Sequence, residues 1–579
     1  MQISAVIKNE GFKLTGAQSV RPTELFYESC NVTHTARRDW ASFAVVVLCP
    51  VDMLLSVTGA AAFTPKAGFA SVRATACCAG LKQVRVEVVG MTDDDDGMPK
   101  ADIILSGDSF ELRGKRAHQL RLSVDVPEAA PAGSYPGTLS FYSHEMFGDE
   151  ALLCSLDFSV VVHAVTLPDK QKQQFHLDLW QHLGNIARKH ETPIYSDSHF
   201  RAVERYVKSL ADIGQKAVTV IASEIPWSGQ RAFNDREYMS DLFEYNMVQV
   251  SRRADGSFAY DYSVVDRYVE MCFSYGIDRE IEIFGLCNIW MDESKGYGKA
   301  APDWPDGVRI RYFDEATGTY RYMHEYSEIA GYIAALQGYI AGRGWLDRTL
   351  VVADEPADIA AYRASLDAIR KAAPLLRFKT AINHAEFIHE FKDVVADYVP
   401  VLSAVSAEWD ELTRARKEIS GRLLYYVCCW PPHPNNFIRS PLAEGRLIPL
   451  LAAYLGMDGF LRWDYTVWPD NPRERLVYRT GEWWSGDTCF VYPSRGGEPL
   501  LSLRYFALKR GIEDFELARM VMSAPDGRAV LERVWKLIIR EPDIRQWEYV
   551  DGMDTSVMYS ANWEEYEKAR ALMLEALEQ

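Results

Sequence analysis

The stretch from Thr349 to Pro356 runs through Leu350, Val351, Val352 and Ala353 into two adjacent carboxylates, Asp354 and Glu355. Neighbouring carboxylates repel, and the repulsion raises at least one pKa. A carboxylic acid that keeps its proton near neutral pH can serve as a general acid. Such a pair has a plainer use at the start of a helix, where it stabilises the positive end of the dipole. Here the approach is wholly apolar and reads as a buried parallel strand. Pro356 cannot donate to a ladder and disfavours helical geometry at Glu355, so the strand must stop on the pair. The carboxyl ends of parallel strands are where α/β folds place their chemistry.

A strand ending on such a pair needs neighbours, and residues 171–524 supply them. Apolar strand-like runs occur at 175–179, 217–221, 281–284, 349–354, 379–382, 398–402, 423–427 and 459–463. Helix-like segments alternate with them and end near Gly214, Gly276, Gly344, Gly421 and Gly456, where glycine takes a left-handed cap. Eight strand-then-helix units predict a (β/α)8 TIM-like barrel with the carboxylate pair ending its fourth strand. Pro400 falls inside the sixth strand, an awkward place for a residue without an N–H. Three connections are long, 228–262, 287–325 and 468–500. Loops of that length in a compact domain form the walls or lids of sites.

Residues 1–170 carry β-branched runs at 44–48, 84–89, 120–126 and 158–165. Turn residues at 93–97 and 131–137 separate them, which predicts a two-sheet β-sandwich. The acidic run Asp93 to Asp96 lacks the ligand spacing of a calcium loop and reads as a solvated turn. Residues 525–579 form a helical extension, with helices at 528–539 and 562–577 expected to pack on the barrel. The fold class is therefore multidomain: a β domain, then α/β, then a helical tail.

The formal net charge of −18 argues against nucleic acid and anionic membranes as partners. No apolar run approaches the ~20 residues of a membrane span, and no signal peptide is visible. Ten cysteines, four of them in the vicinal pairs Cys77-Cys78 and Cys428-Cys429, do not make a disulfide framework. A reducing, cytoplasmic setting is the expectation.

Tryptophans recur where the strands end: Trp180, Trp227, Trp290, Trp430, Trp463 and Trp468. An aromatic ring covers the apolar face of a pyranose and leaves its hydroxyls to polar neighbours. His182, Asn383, His384, Tyr426, Asn435 and Asp464 are the polar candidates on the same rim. The histidines show no His-Glu-x-x-His spacing and the cysteines no Cys-x-x-Cys, so no metal is expected. No Gly-rich phosphate loop follows a strand, and the Gly-x-Ser-x-Gly elbow is absent, so no cofactor is implied.

Six segments then carry a resemblance: 175–181, 352–356, 435–441, 459–464, 486–493 and 502–516. The sequence resembles glycoside hydrolase family 123 and the broader domain-of-unknown-function family 4091. The resemblance implies a retaining exo-hydrolase that removes terminal β-linked N-acetylhexosamine, above all N-acetylgalactosamine, from a glycan by substrate-assisted catalysis. It implies Glu355 as general acid and then base, and Asp354 as the group that holds the 2-acetamido function while its oxygen attacks the anomeric carbon. Ordinary retaining enzymes need a second carboxylate as nucleophile. The seventh strand, 423–430, contains neither Asp nor Glu, although Asp464 and Glu224 remain as substitutes. Two other readings stay open at this level: a glycosidase for a sugar without the acetamido group, and a catalytically silent glycan-binding barrel.

Overall fold

The computed structural model describes residues 3–58, 66–146, 148–226, 243–289, 291, 293–468 and 484–578. The amino-terminal region holds two sheets. One has five strands in the order Ser4–Asn9, Asp39–Cys49, Arg116–Val126, Val84–Asp93 and Pro99–Ile104, all antiparallel. The other is mixed, with six strands in which Ala151–Thr166 pairs parallel to Val32–Arg37 and antiparallel to Gly133–His144. Val45, Val47, Leu120 and Leu122 of the first sheet share a core with Leu139, Phe141, Phe158 and Val160 of the second. Val46, Val89, Ala101 and Ile103 on the opposite face of the five-stranded sheet belong to the large core of the rest of the chain. This sheet is buried on both faces, which is why 44–48 reads as unbroken apolar sequence rather than alternating.

Eight parallel strands follow, here called first to eighth: His176–Leu179, Ala217–Ile221, Glu280–Phe284, Thr349–Asp354, Arg377–Ile382, Val395–Pro400, Leu424–Tyr426 and Gly459–Arg462. The second to sixth form one sheet in sequence order; the first, eighth and seventh form another. Isolated parallel bridges join the two sheets on both sides, Leu177 to Gln215 on one and Tyr398 to Leu423 and Val401 to Tyr426 on the other. The helix Asp197–Ile213 shows how the connections are punctuated. Ser196 accepts from the His199 N–H at its start, and Gly214 at φ 97° closes its end.

Several expectations need correction. The sixth strand lies three residues earlier than expected and ends on Pro400, so Leu402 opens a helix instead; proline is tolerated where the ladder ends. Gly421 is not a left-handed cap. A Cβ there would lie 2.2 Å from Asp397 Oδ1 and 2.3 Å from the Ala396 oxygen, so glycine permits a close approach to the sixth strand. Residues 133–137 are already strand; Pro136 is accommodated because it pairs only with Ser159 on one side. The acidic turn is not simply solvated either. Asp94 is buried against Lys100 at 2.6 Å, and Asp95 accepts from the Ser485 backbone at 3.0 Å and from its hydroxyl at 2.9 Å.

The tail helices Gly527–Ile538 and Trp563–Leu577 pack on more than the parallel strands' helices. Arg570 pairs with Asp39 of the amino-terminal sheet and with Asp514 of the helix Leu503–Met522. Asp514 also takes Arg446 at 2.6 Å, and Arg510 reaches Asp39 at 3.1 Å and Glu10 at 3.2 Å. Much of the 502–516 signature thus serves a buried ionic seam between the two parts of the chain.

Candidate active site

The fourth strand carries its apolar run into Asp354, which is half-buried, and the chain turns at Glu355, which is exposed. Glu355 has φ 46°, a left-handed value that costs a non-glycine residue roughly 1–2 kcal/mol. Its N–H still donates to the Ala381 oxygen of the fifth strand at 3.1 Å, so the ladder continues one residue past the strand. On the other side Asn288, itself at φ 51°, donates its side-chain amide to the Asp354 carbonyl. Asp306 fixes Asn288 by accepting its backbone N–H at 2.6 Å, together with Ile289 N–H at 2.8 Å and the Ser365 hydroxyl at 2.9 Å. Backbone strain of this kind persists only where the surroundings over-determine it.

The Glu355 carboxylate is turned across the ends of the strands. Its Oε1 accepts from the hydroxyl of Tyr426, which is buried on the seventh strand and lies 3.0 Å from Asn383 Oδ1. Burial and the Glu355 charge hold the Tyr426 phenol well above its ordinary pKa, so it stays a donor. Desolvation first, and the Glu355 charge second, push Asp354 up to about 8. Among the described residues, no Lys or Arg pairs with either carboxylate. Burial and the neighbouring charge thus favour the protonated form of Asp354 near neutral pH.

The remaining rim residues divide. Asn383 and His384 are exposed beside the pair, His384 Nδ1 lying 3.1 Å from Glu408. Trp430 is 46% exposed and Trp463 half-buried, so both offer ring surface. Trp180 and Trp468 do not: each is fully buried, the first packed edge-on against Phe284 and the second donating its indole N–H to the Val491 oxygen at 2.7 Å. They are core, because the segment after each strand folds back over it. Trp227 and Trp290 lie outside the described residues. His182 is buried, with Nε2 on the Trp463 oxygen at 3.0 Å and its pKa lowered to about 4 by desolvation. Asn435 is spent internally, donating to the Cys428 and Pro431 oxygens at 2.8 and 2.7 Å and accepting from Arg462 at 3.1 Å. Asp464 is fully buried beside Arg462, Asp487 and Arg504, and desolvation holds it protonated. It is therefore no substitute nucleophile as the site stands. Glu224 is engaged by Arg311 at 2.7 Å and by the Tyr322 hydroxyl at 2.5 Å.

Beneath the pair lies a cluster that sequence reading missed. Lys379 of the fifth strand, wholly buried, sits 2.5 Å from Asp178 of the first strand, and 2.9 and 2.8 Å from Glu280 and Glu282 of the third. Arg422, just before the seventh strand, adds contacts to Glu280 and Asp397. The three carboxylates have the spacing of a metal site, but the Lys379 ammonium occupies their centre. Their signal in the sequence was a charged residue at alternate positions of otherwise apolar strands. Asn288 and Asp306 left none beyond the tolerance of asparagine for left-handed backbone.

A carboxylate pair at the carboxyl ends of parallel strands can supply general acid and base, and comparison with known families gives the class. Residues 180–521 match the model of the glycoside hydrolase 123 catalytic domain, and the chain belongs to that family. A solved family 123 glycoside hydrolase from Clostridium perfringens, described in connection with glycolipid glycan hydrolysis, superposes with a TM-score of 0.72 at 18% identity. The match covers 100% of this chain and 97% of that one, and it shows a shared fold. A β-D-glucuronidase from Dictyoglomus thermophilum aligns at 11% identity over 82% of this chain and 68% of its own, with a TM-score of 0.29. The chitinase catalytic domain from Pyrococcus furiosus aligns at 11% over 59% and 96%, with a TM-score of 0.28. No curated protein sequence matches the chain.

Proposed function

We propose that this glycoside hydrolase removes terminal β-linked N-acetylhexosamine, with N-acetylgalactosamine the favoured sugar, by substrate-assisted catalysis with retention. The observation that carries the reading is the adjacent pair Asp354–Glu355 at the strand ends, with Tyr426 on Glu355 and, among the described residues, no Lys or Arg paired with either acid. Glu355 protonates the leaving glycosidic oxygen and then activates water. Asp354 accepts the acetamido N–H, which favours its charged form and releases its proton toward Glu355, while the acetamido oxygen attacks the anomeric carbon. Tyr426 steadies Glu355 in both roles. The burial of Asp464 and the engagement of Glu224 by Arg311 support an internal nucleophile supplied by the substrate. The association of the Clostridium relative with glycolipid glycan hydrolysis supports a glycan of the glycolipid kind as the natural substrate.

The same reading takes the strands as a closed (β/α)8 barrel. Its support is the bridging of both sheet edges and a layer of interior side chains drawn from alternate strands: Asp178 from the first, Glu280 from the third and Lys379 from the fifth.

The test is a panel of aryl β-glycosides with and without the 2-acetamido group, plus a thiazoline analogue of the oxazoline intermediate. Release from the acetamido sugars alone and inhibition by the thiazoline are expected. Asp354→Asn should lower kcat on aryl β-N-acetylgalactosaminide by about 10²–10⁴-fold. Near-wild-type turnover by Asp354→Asn would refute its orienting role. Equal hydrolysis of sugars lacking the acetamido group would move the assignment to the non-acetamido reading.

A further inference from the structure

The two long connections after the second and third strands are not mere loops. Each contributes a hairpin, 249–252 with 258–261 and 311–314 with 319–322, and a parallel pairing of Ser251 with Phe313 joins them into one four-stranded sheet. The register puts Ala259, Ser251, Phe313 and Tyr320 in one row across a single face, with Gln249 and Arg311 in the next row of that face. On the 311–314 strand the alternate residues, Tyr312 and Asp314, are buried on the opposite face.

That outward face opens into a cavity of about 750 Å³, closed on the far side by Tyr195, Tyr245 and Glu224. The volume lies in the range of small-molecule sites. Phe313 is 37% exposed and Tyr320 67% exposed, their rings 5.3 Å apart. The Arg311 guanidinium lies 5.1 Å over the Tyr320 ring and holds Glu224 at 2.7 Å. A cross-strand aromatic pair stabilises a small sheet by itself. It does not call for a cavity on which an anchored carboxylate, a guanidinium and a glutamine amide converge beside two exposed rings.

We infer that this face is a second carbohydrate site, which holds neutral sugars of the glycan beyond the residue served by Glu355. Exposed rings take the apolar faces of pyranoses, and Gln249, Arg311 and the lining carboxylate of Asp261 accept from and donate to their hydroxyls. Arg311 balances Glu224, and Asp261 disfavours an anionic ligand, which leaves a neutral sugar favoured. Glu224 follows the second strand, so the cavity lies at the same end of the strands as Asp354, two strand places along the rim. A glycan with its terminal sugar at the carboxylate pair has that distance to cross. The inference rests on the glycosidase reading for its ligand class, but its test is independent of turnover.

The probe is a neutral trisaccharide without an acetamido group, titrated into wild-type protein and into Phe313→Ala/Tyr320→Ala. Saturable binding by the wild type, weakened about tenfold or more in the double variant, is expected. The variant Tyr320→Phe, which keeps the ring, should bind close to wild type, and circular dichroism shows whether the variants fold. No binding by the wild type, or equal binding by the double alanine variant, overturns the inference. Neither result bears on the acetamido mechanism, which is read by aryl β-N-acetylgalactosaminide release.

Discussion

Two groups of carboxylates sit on the same parallel strands. Asp178, Glu280 and Glu282 point into the interior and close around Lys379 at 2.5–2.9 Å, with Arg422 adding a second cation. Asp354 and Glu355 lie at the strand ends with no cation paired with them among the described residues, and the backbone of Glu355 is held at φ 46°. In the interior cluster Lys379 and Arg422 overcome desolvation at Glu280 and hold it well below its ordinary pKa, while desolvation and the neighbouring Asp178 push Glu282 well above it. At the strand ends desolvation wins and Asp354 rises to about 8. The interior carboxylates, gathered around a cation, tie strands together; the pair at the strand ends is placed where a proton can be used.

The comparison breaks most sharply at Lys379. Lys379→Met leaves three buried carboxylates facing one another, and removing one partner of a buried pair costs about 3–5 kcal/mol. Loss of soluble, cooperatively melting protein is the expected result; a thermal midpoint near wild type would show that the cluster titrates away its charge instead. Glu355→Gln tests the opposite pole. It should melt like wild type yet lose about 10²–10⁴-fold in kcat on substrates with poor leaving groups. Tyr426→Phe removes one donor from the Glu355 carboxylate and should lower kcat/KM by about tenfold, with a changed pH profile.

A further effect is on stability. Asp354 has a folded pKa of about 8 against 3.8 for an unperturbed aspartate. Between these values the folded protein binds more protons than the unfolded chain, so this group's contribution falls as pH rises from about 4 to 8. Asp354→Asn removes that loss. Its thermal midpoint should exceed wild type by more at pH 8 than at pH 5, and an unchanged difference across that range would mean that Asp354 is already charged at pH 5.

The candidate site was legible where local chemistry announced it. The apolar run into Asp354 and Glu355, stopped by Pro356, placed the pair at a strand end, and Tyr426 followed from the pattern of the seventh strand. The rim was less legible. Trp180 and Trp468 stand at strand ends as much as Trp430 does, yet they are core, because burial depends on what folds back over a residue. Asp464 and Asn435 were misplaced for the same reason. The long connections gave the location of an insertion, while the pairing of Ser251 with Phe313 joins segments far apart in the chain and has no local signature.

The chain's order of residues determined which segments are strands, where each stops, and which two acids stand side by side, since apolar runs, proline and covalent adjacency act over a few residues. Tertiary structure alone decided which carboxylates meet a cation and which do not. Proton affinity depends on charges and solvent within a few ångströms, and those neighbours arrive from strands dozens of residues away.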